Sequence, residues 1–80
     1  MTTIPELQRE LDALGAPRAM YALGSERTEA YCLVAEIDGW HVFYSERGNR
    51  NDEIVFASES AACHELLVWL LQDGTWRFER

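Results

Sequence analysis

The sequence predicts an α+β fold, in which a small antiparallel β meander of three to five strands is flanked by an N-terminal and a C-terminal helix. Apolar residues recur at helical spacing near both ends, and alternating apolar residues surround an Asp-Gly pair in the middle. Since 80 residues suffice for one domain only, we interpret residues 1–80 as a single domain with a thin core.

The first predicted element is a helix over residues 4–14. One apolar stripe at helical spacing supports it, formed by Ile4, Leu7, Leu11 and Leu14. Pro5 suits the first helical position, where its missing N–H is not needed, and the helix dipole favours Glu6 in the first turn. Gly15 suits the left-handed residue that follows a helix. A short strand over residues 18–23 and a turn come next.

The clearest local signal is a β-hairpin. Residues 29–37 and 40–46 are strand-like, and the Asp38-Gly39 pair between them is typical of a two-residue turn with positive φ angles. This turn would pair Ile37 with Trp40 and place one apolar face on the core: Tyr31, Leu33, Ala35, Ile37, Trp40, Val42 and Tyr44. The other face carries Val34 and Phe43, which we expect the first helix, the C-terminal tail or a partner to cover.

Residues 46–52 are predicted to form a polar loop, followed by a strand over residues 53–57. Ser58 is a suitable N-cap for a second helix over residues 59–72, which Gly74 would end. Its core-facing stripe consists of Cys63, Leu66, Leu67 and Leu70. Residues 75–80 alternate in polarity, which fits either an edge strand or a tail laid over the sheet.

The charge is strongly asymmetric, with 14 acidic residues against 7 basic ones and a formal charge of −7. Such a surface repels nucleic acid and anionic membranes and attracts a basic partner, although it could also serve only to keep a small protein in solution. We expect a cytoplasmic protein with reduced thiols, because the chain has no signal peptide, no membrane-spanning run and only two cysteines.

The sequence contains no recognisable catalytic or metal-binding motif, so we predict a non-enzymatic protein without cofactor, metal or catalytic residues. Cys63 and His64 are neighbours on a helix and point about 100° apart, so they cannot readily share a metal. Cys63 is expected to pack as a small apolar residue. His41 is expected to pair across the hairpin with Glu36.

Acidic residues on the predicted strands and their connections lie beside an aromatic-rich sheet, as in many protein interfaces. Arg47 and Arg50 share the predicted 46–52 loop with acidic neighbours, so the local charge has the wrong sign for binding phosphate groups. The residues that we expect to contact a protein partner are Glu36, Asp38, Glu46, Arg47, Arg50, Asp52 and Glu53.

Three stretches carry a resemblance to a known class of protein: Tyr31-Cys32-Leu33, Phe43-Tyr44-Ser45-Glu46-Arg47-Gly48 and the segment from Phe56 to Cys63. In order and spacing they resemble small bacterial immunity proteins of polymorphic toxin systems. The resemblance covers about residues 30–71. It implies that the chain binds the catalytic domain of a cognate toxin and occludes its active site. It does not identify contact residues, because these vary among such proteins.

Two other function classes stay open at this point. The chain could be a regulatory module that forms a homodimer through an edge strand or through the face of Val34 and Phe43. It could also bind a small molecule, or act as a minor enzyme, through a pocket lined by Trp40, Tyr44 or Trp69. A domain of this size has little room for such a pocket.

Overall fold

The computed structural model describes residues 2–73, which form an α+β fold, as predicted. The elements are α1 (Ile4–Leu14), a 3₁₀ turn (Arg18–Met20), β1 (Tyr21–Leu23), β2 (Ala30–Glu36), β3 (Gly39–Glu46), β4 (Asn49–Phe56) and α2 (Glu59–Gln72). The strands form one sheet in the order β1-β2-β3-β4. The predictions for Gly74 and for residues 75–80 lie outside the described residues.

Both helices pack on the same face of the sheet. Their buried side chains share one core with Leu33 of β2 and Val42 of β3. α1 begins with a capping box in which the Thr3 side chain accepts from the Glu6 N–H and Glu6 accepts from the Thr3 N–H. α2 contributes four buried residues, Ala62, Cys63, Leu66 and Leu70.

The stripe predicted for α1 is buried only in its middle. Leu7 and Leu11 are inaccessible to solvent, whereas Leu14 is half-exposed in the last turn. Gly15 ends the helix with φ of 80°, as expected. In α2, Ser58 is the N-cap, as expected, because its side chain accepts from the Ala61 N–H.

The sheet is mixed, because β1 pairs with β2 in parallel whereas β2, β3 and β4 form the antiparallel meander. The connection of residues 24–29 is much shorter than a usual parallel crossover. Arg27 holds it in place by donating from its guanidinium group to the carbonyl oxygens of Arg18 and Tyr21, and its N–H lies 3.4 Å from Cys32 Sγ. These contacts, which only the folded chain creates, keep β1 beside β2.

The hairpin has its predicted strands but a register shifted by two residues. Ala35 pairs with Trp40 and Glu36 with Gly39, so the turn consists of Ile37 and Asp38. Of the two expected turn residues only Gly39 has a positive φ, at 143°. A shift of two residues leaves the side-chain alternation unchanged, and the same face meets the core. The exceptions are Ala35 and Ile37, which were expected in the core: Ala35 is exposed near the end of β2, and Ile37 is fully exposed in the turn.

The predicted 46–52 loop is wrong, because only Arg47 and Gly48 form the turn and β4 begins at Asn49. Both turn residues have positive φ, 53° and 81°, as in the turns that match the twist of a hairpin. β4 is an edge strand, so its polar side chains can stay in water while its backbone pairs with β3. A β-bulge interrupts the pairing between Val42 and Tyr44, where Asp52 has φ of 57°.

Candidate functional site

The face of the sheet that points away from the helices, called the open face below, has its own small buried cluster of Ala22, Ala30, Cys32 and Phe43. Neither α1 nor α2 contributes a residue to it. Phe43 is nevertheless inaccessible to solvent. Within residues 2–73 the group lying over its ring is the guanidinium of Arg50, 4.2 Å from the ring centroid, and not the first helix.

Three carboxylates hold Arg50 in this position. Its guanidinium nitrogens lie 2.6 Å from Glu53, 2.8 Å from Glu36 and 3.0 Å from Glu26. These bonds, of which the one that Arg50 donates to Glu36 has the largest effect, raise the pKa of Arg50. The same contact with Arg50 lowers the pKa of Glu36. The three acids come from the 24–29 connection, β2 and β4, so Arg50 ties three segments together.

His41 lies next to this group, with only 8% of its side chain exposed. Nδ1 is 2.6 Å from Glu53 Oε2, Nε2 is 2.6 Å from Asp38 Oδ1, and Glu36 Oε1 lies 3.4 Å from Nε2. Hydrogen bonds to Asp38, the larger effect, and to Glu53 raise the pKa of His41, which favours the imidazolium form that donates from both nitrogens. The expected contact with Glu36 is present, although the residue directly opposite His41 is Val34.

These six residues form what we call the charged cluster: Glu26, Glu36, Asp38, His41, Arg50 and Glu53. Four carboxylates face one guanidinium and one imidazolium, so the cluster keeps a net negative charge even with His41 protonated. Bonds to His41 lower the pKa of Asp38 and, together with Arg50, that of Glu53, so both carboxyl groups are protonated only at a lower pH than an unperturbed carboxyl group.

A divalent cation is the one cofactor for which this cluster offers ligand atoms. One atom each of Glu36, Asp38 and His41 lie within 4.8 Å of one another, and carboxylate and imidazole are suitable zinc ligands. A cation there would compete with the proton shared between His41 and Asp38 and with the guanidinium bound to Glu36. The arrangement therefore fits an internal ion-pair network better than a ligand set.

The structure brings four of the seven predicted contact residues together, namely Glu36, Asp38, Arg50 and Glu53. Glu46 and Arg47 lie at the opposite end of β3, where the Arg47 N–H donates to the Thr28 hydroxyl over 3.2 Å. Asp52 is exposed at the bulge. Neither Glu46 nor Asp52 makes a side-chain ion pair within residues 2–73.

Sequence reasoning missed two members of the cluster as contact residues. His41 could have been included, because strand alternation places it on the face of Phe43 and Val34. Glu26 carried no such signal, since its position depends on the path of the 24–29 connection.

The thiols offer no nucleophile. Both cysteines are free and fully buried, and burial raises the pKa of Cys63 to about 11 and also raises that of Cys32. Cys63 packs in the core as an apolar residue, as predicted. His64, its neighbour on α2, is exposed.

A hollow of about 390 Å³ lies between α1 and the 24–29 connection, lined by Gln8, Arg18, Tyr21 and Arg27 among others. It is an open depression rather than an enclosed pocket, and its arginines are engaged: Arg18 pairs with Asp12 at 2.9 Å, and Arg27 binds two backbone carbonyls. The aromatic residues suggested for a ligand pocket do not line it. Tyr44 instead packs edge-on against Tyr31, with ring centroids 4.9 Å apart.

A scan against models of protein families, a search of curated proteins and a search of solved structures each returned no match. Neither helix within residues 2–73 is both long and apolar enough to cross a bilayer.

Proposed function

We propose that this protein binds a basic protein partner through the open face, and that the partner is the catalytic domain of a cognate bacterial toxin, which the protein occludes in the cytoplasm. The observation that carries the proposal is the charged cluster, a net-negative group on the face that neither α1 nor α2 covers. It agrees with the overall charge of −7 and with the resemblance to toxin-immunity proteins. The protein acts as a binder and not as an enzyme.

The cluster has two properties that suit such a partner. Its ionised carboxylates attract a basic surface over a distance and raise the rate of encounter. Its side chains are also held in one arrangement by contacts of 2.6–3.0 Å, so less conformational entropy is lost on binding. Polymorphic toxins that cleave nucleic acid have basic active sites, to which an acidic protein is complementary.

The stretches that carry the resemblance mainly form strands, turns and buried positions of the fold rather than an exposed contact surface. Tyr31-Cys32-Leu33 lies within β2, and Cys32 and Leu33 are fully buried. Phe43 to Gly48 completes β3 and its turn, and Phe56 to Cys63 leads from β4 into α2. A shared scaffold with variable contacts is therefore what the resemblance implies.

The decisive experiment is co-expression with the protein encoded next to this chain, followed by growth assays and affinity purification. We expect the neighbour to stop growth when expressed alone, and growth to return together with a co-purifying 1:1 complex when this protein is present. A variant with Glu36→Lys and Glu53→Lys should rescue less well, provided that its circular dichroism is unchanged. A harmless neighbour that forms no complex would contradict the proposal.

A homodimer is the second candidate, and β4 is the observation that favours it. This edge strand is eight residues long, and most of its side chains are exposed, including Ile54 and Val55. Pairing of two β4 strands would satisfy the backbone groups on the edge of β4 that β3 does not pair within residues 2–73. Light scattering between 5 μM and 500 μM (concentrations on the order of those at which weak dimers form) should show the mass doubling if this candidate is correct. A constant monomer mass would exclude it.

A further inference from the structure

Ile37 is the most exposed large apolar side chain within residues 2–73. Its relative exposure is 106%, and the next highest value, for Leu14 and Val55, is 47%. An isolated apolar residue at a surface is ordinary. Its position is not, because it occupies the β2–β3 turn between Glu36 and Asp38.

The turn itself gives no reason for an isoleucine. Turn positions favour Asn, Asp, Ser, Gly and Pro, whose side chains or backbones stabilise the bend, and β-branched residues favour strands. No residue among 2–73 covers the Ile37 side chain, so it adds no packing energy to the fold. The isoleucine therefore makes the turn less stable, and no packing contact within residues 2–73 compensates for this loss.

The residues on both sides of Ile37 are held firmly. Glu36 is bound by Arg50 at 2.8 Å, and Asp38 is bound by the nearly buried His41 at 2.6 Å. Gly39 packs so closely that a Cβ atom there would lie 2.6 Å from the Phe56 carbonyl oxygen. The turn is therefore a fixed support that presents one apolar side chain between two carboxylates.

We infer that Ile37 is the apolar anchor of the proposed interface and inserts into a small apolar pocket of the partner. The rim of that pocket is basic, since Lys or Arg side chains are needed opposite Glu36 and Asp38. Val55, which is half-exposed and pairs with His41 across the strands, extends the apolar contact along the open face. This inference rests on the proposed function and places the contact at the tip of the hairpin.

The test is a competition assay on the purified complex of the tagged wild-type protein with the neighbour-encoded protein. Untagged Ile37→Ser should need at least about tenfold more protein than untagged wild type for half displacement, because an anchor residue dominates the binding energy. Leu14→Ser is the matched control, since Leu14 is also an exposed apolar residue but lies on α1, and it should compete like wild type.

Two further readouts separate an anchor from a structural or electrostatic role. The thermal midpoint of Ile37→Ser should equal or exceed that of wild type, because serine suits a turn better. The tenfold difference should also persist in 0.5 M NaCl, at an ionic strength where the Debye length is only about 4 Å and steering by charge is lost.

Each outcome has a distinct meaning. If Ile37→Ser competes like wild type, the anchor is wrong and the proposed function stands. If wild type itself neither forms the complex nor restores growth, the proposed function fails and the anchor fails with it. If Ile37→Ser instead abolishes a concentration-dependent doubling of mass, the surface belongs to a homodimer, and the inference is overturned.

Discussion

At the scale of single residues, Arg50 covers a side chain on the open face, where neither α1 nor α2 packs. Its guanidinium covers Phe43, and the three carboxylates that bind it prevent it from moving into solvent. One polar side chain therefore shields an aromatic residue for which sequence analysis expected a helix, a tail or a partner.

Removal of this charge should destabilise the domain. Arg50→Met keeps a long apolar side chain but leaves three carboxylates without their shared cation, so we expect a loss of about 1–2 kcal/mol in the free energy of unfolding. Arg50→Lys retains the charge and should lose less. Urea titrations followed by tryptophan fluorescence will measure both, and a Met variant as stable as wild type would refute the role of Arg50.

Gly39 provides a second residue-scale prediction. Its φ of 143° is unfavourable for other residues, and an added Cβ would clash with the Phe56 carbonyl and with Val55, 2.9 Å away. Gly39→Ala should therefore cost more than about 1 kcal/mol of stability. Gly24→Ala is the control, because Gly24 has φ of 84° but no atom within 4 Å of the added Cβ, so its loss reflects backbone strain alone. Equal losses by thermal denaturation would contradict the clash.

At the scale of elements, α2 is the main cover of the core and contacts β2, β3, β4 and α1. Leu66 is completely buried at its centre. Leu66→Ala should lower the free energy of unfolding by about 2–5 kcal/mol, because it leaves a cavity. Leu71→Ala, on the more exposed side of the same helix, should change it much less. Chemical denaturation will give the free energy of unfolding of both variants. Similar losses for the two would mean that α2 does not pack on the core as described.

The elements that sequence reasoning predicted well are those with local signals. Both helices have periodic apolar residues and capping side chains, and their bounds agree with the structure. The hairpin strands were found from their alternation. The turn was placed one residue too late, which shifts the pairing by two residues, because an Asp-Gly pair can occupy neighbouring positions of a turn.

What the sequence could not reveal depends on contacts between distant segments. The length of β4 was missed because its polar residues resemble a loop, and only pairing with β3 makes them a strand. The parallel pairing of β1 depends on Arg27 and the carbonyls it binds. The candidate site was predicted only in part for the same reason. Sequence reasoning named Glu36, Asp38, Arg50 and Glu53 one by one. That these acids bind Arg50 or His41 follows only from the folded sheet.

At the scale of the whole molecule, the two faces of the sheet have different roles, one in stability and the other in the proposed recognition. One face is apolar and carries the helices, and the other concentrates charge around a few buried side chains. Stability and recognition should therefore respond differently to pH, salt and charge substitution.

Stability should be highest in mildly acidic solution. The raised pKa of His41 adds stability that is fully present below its unfolded pKa of about 6.5 and is lost as the pH rises through its folded pKa. The lowered pKa values of Glu36, Asp38 and Glu53 add stability above pH of about 4, which is lost as the pH falls through their folded values. The urea midpoint should therefore decline as the pH rises above about 6.5, the unfolded pKa of histidine, and through the raised folded pKa of His41. The decline should be smaller in His41→Gln, and identical slopes would show that His41 is not responsible.

Long-range attraction of the partner should depend on total charge. Glu46→Lys with Asp52→Lys removes no ion pair within residues 2–73, so the fold should be kept, with a small loss of stability because Asp52 has a positive φ that lysine adopts less readily. Association with the basic partner should slow by about tenfold at low salt, because steering is electrostatic, and dissociation should change little. Stopped-flow measurements at two salt concentrations provide the test. An unchanged association rate would mean that these two acids lie too far from the contact to matter.

The two buried thiols can report separately on local opening of the two sides of the sheet. Cys32 lies beneath the 24–29 connection on the open face, and Cys63 lies beneath α2 in the main core, so each is shielded by a different layer. Neither thiol can react with an alkylating reagent until its own layer opens. The labelling rates of the two, read separately by mass spectrometry, therefore report how often each side of the sheet comes apart. A partner bound to the open face should slow the alkylation of Cys32 more than that of Cys63.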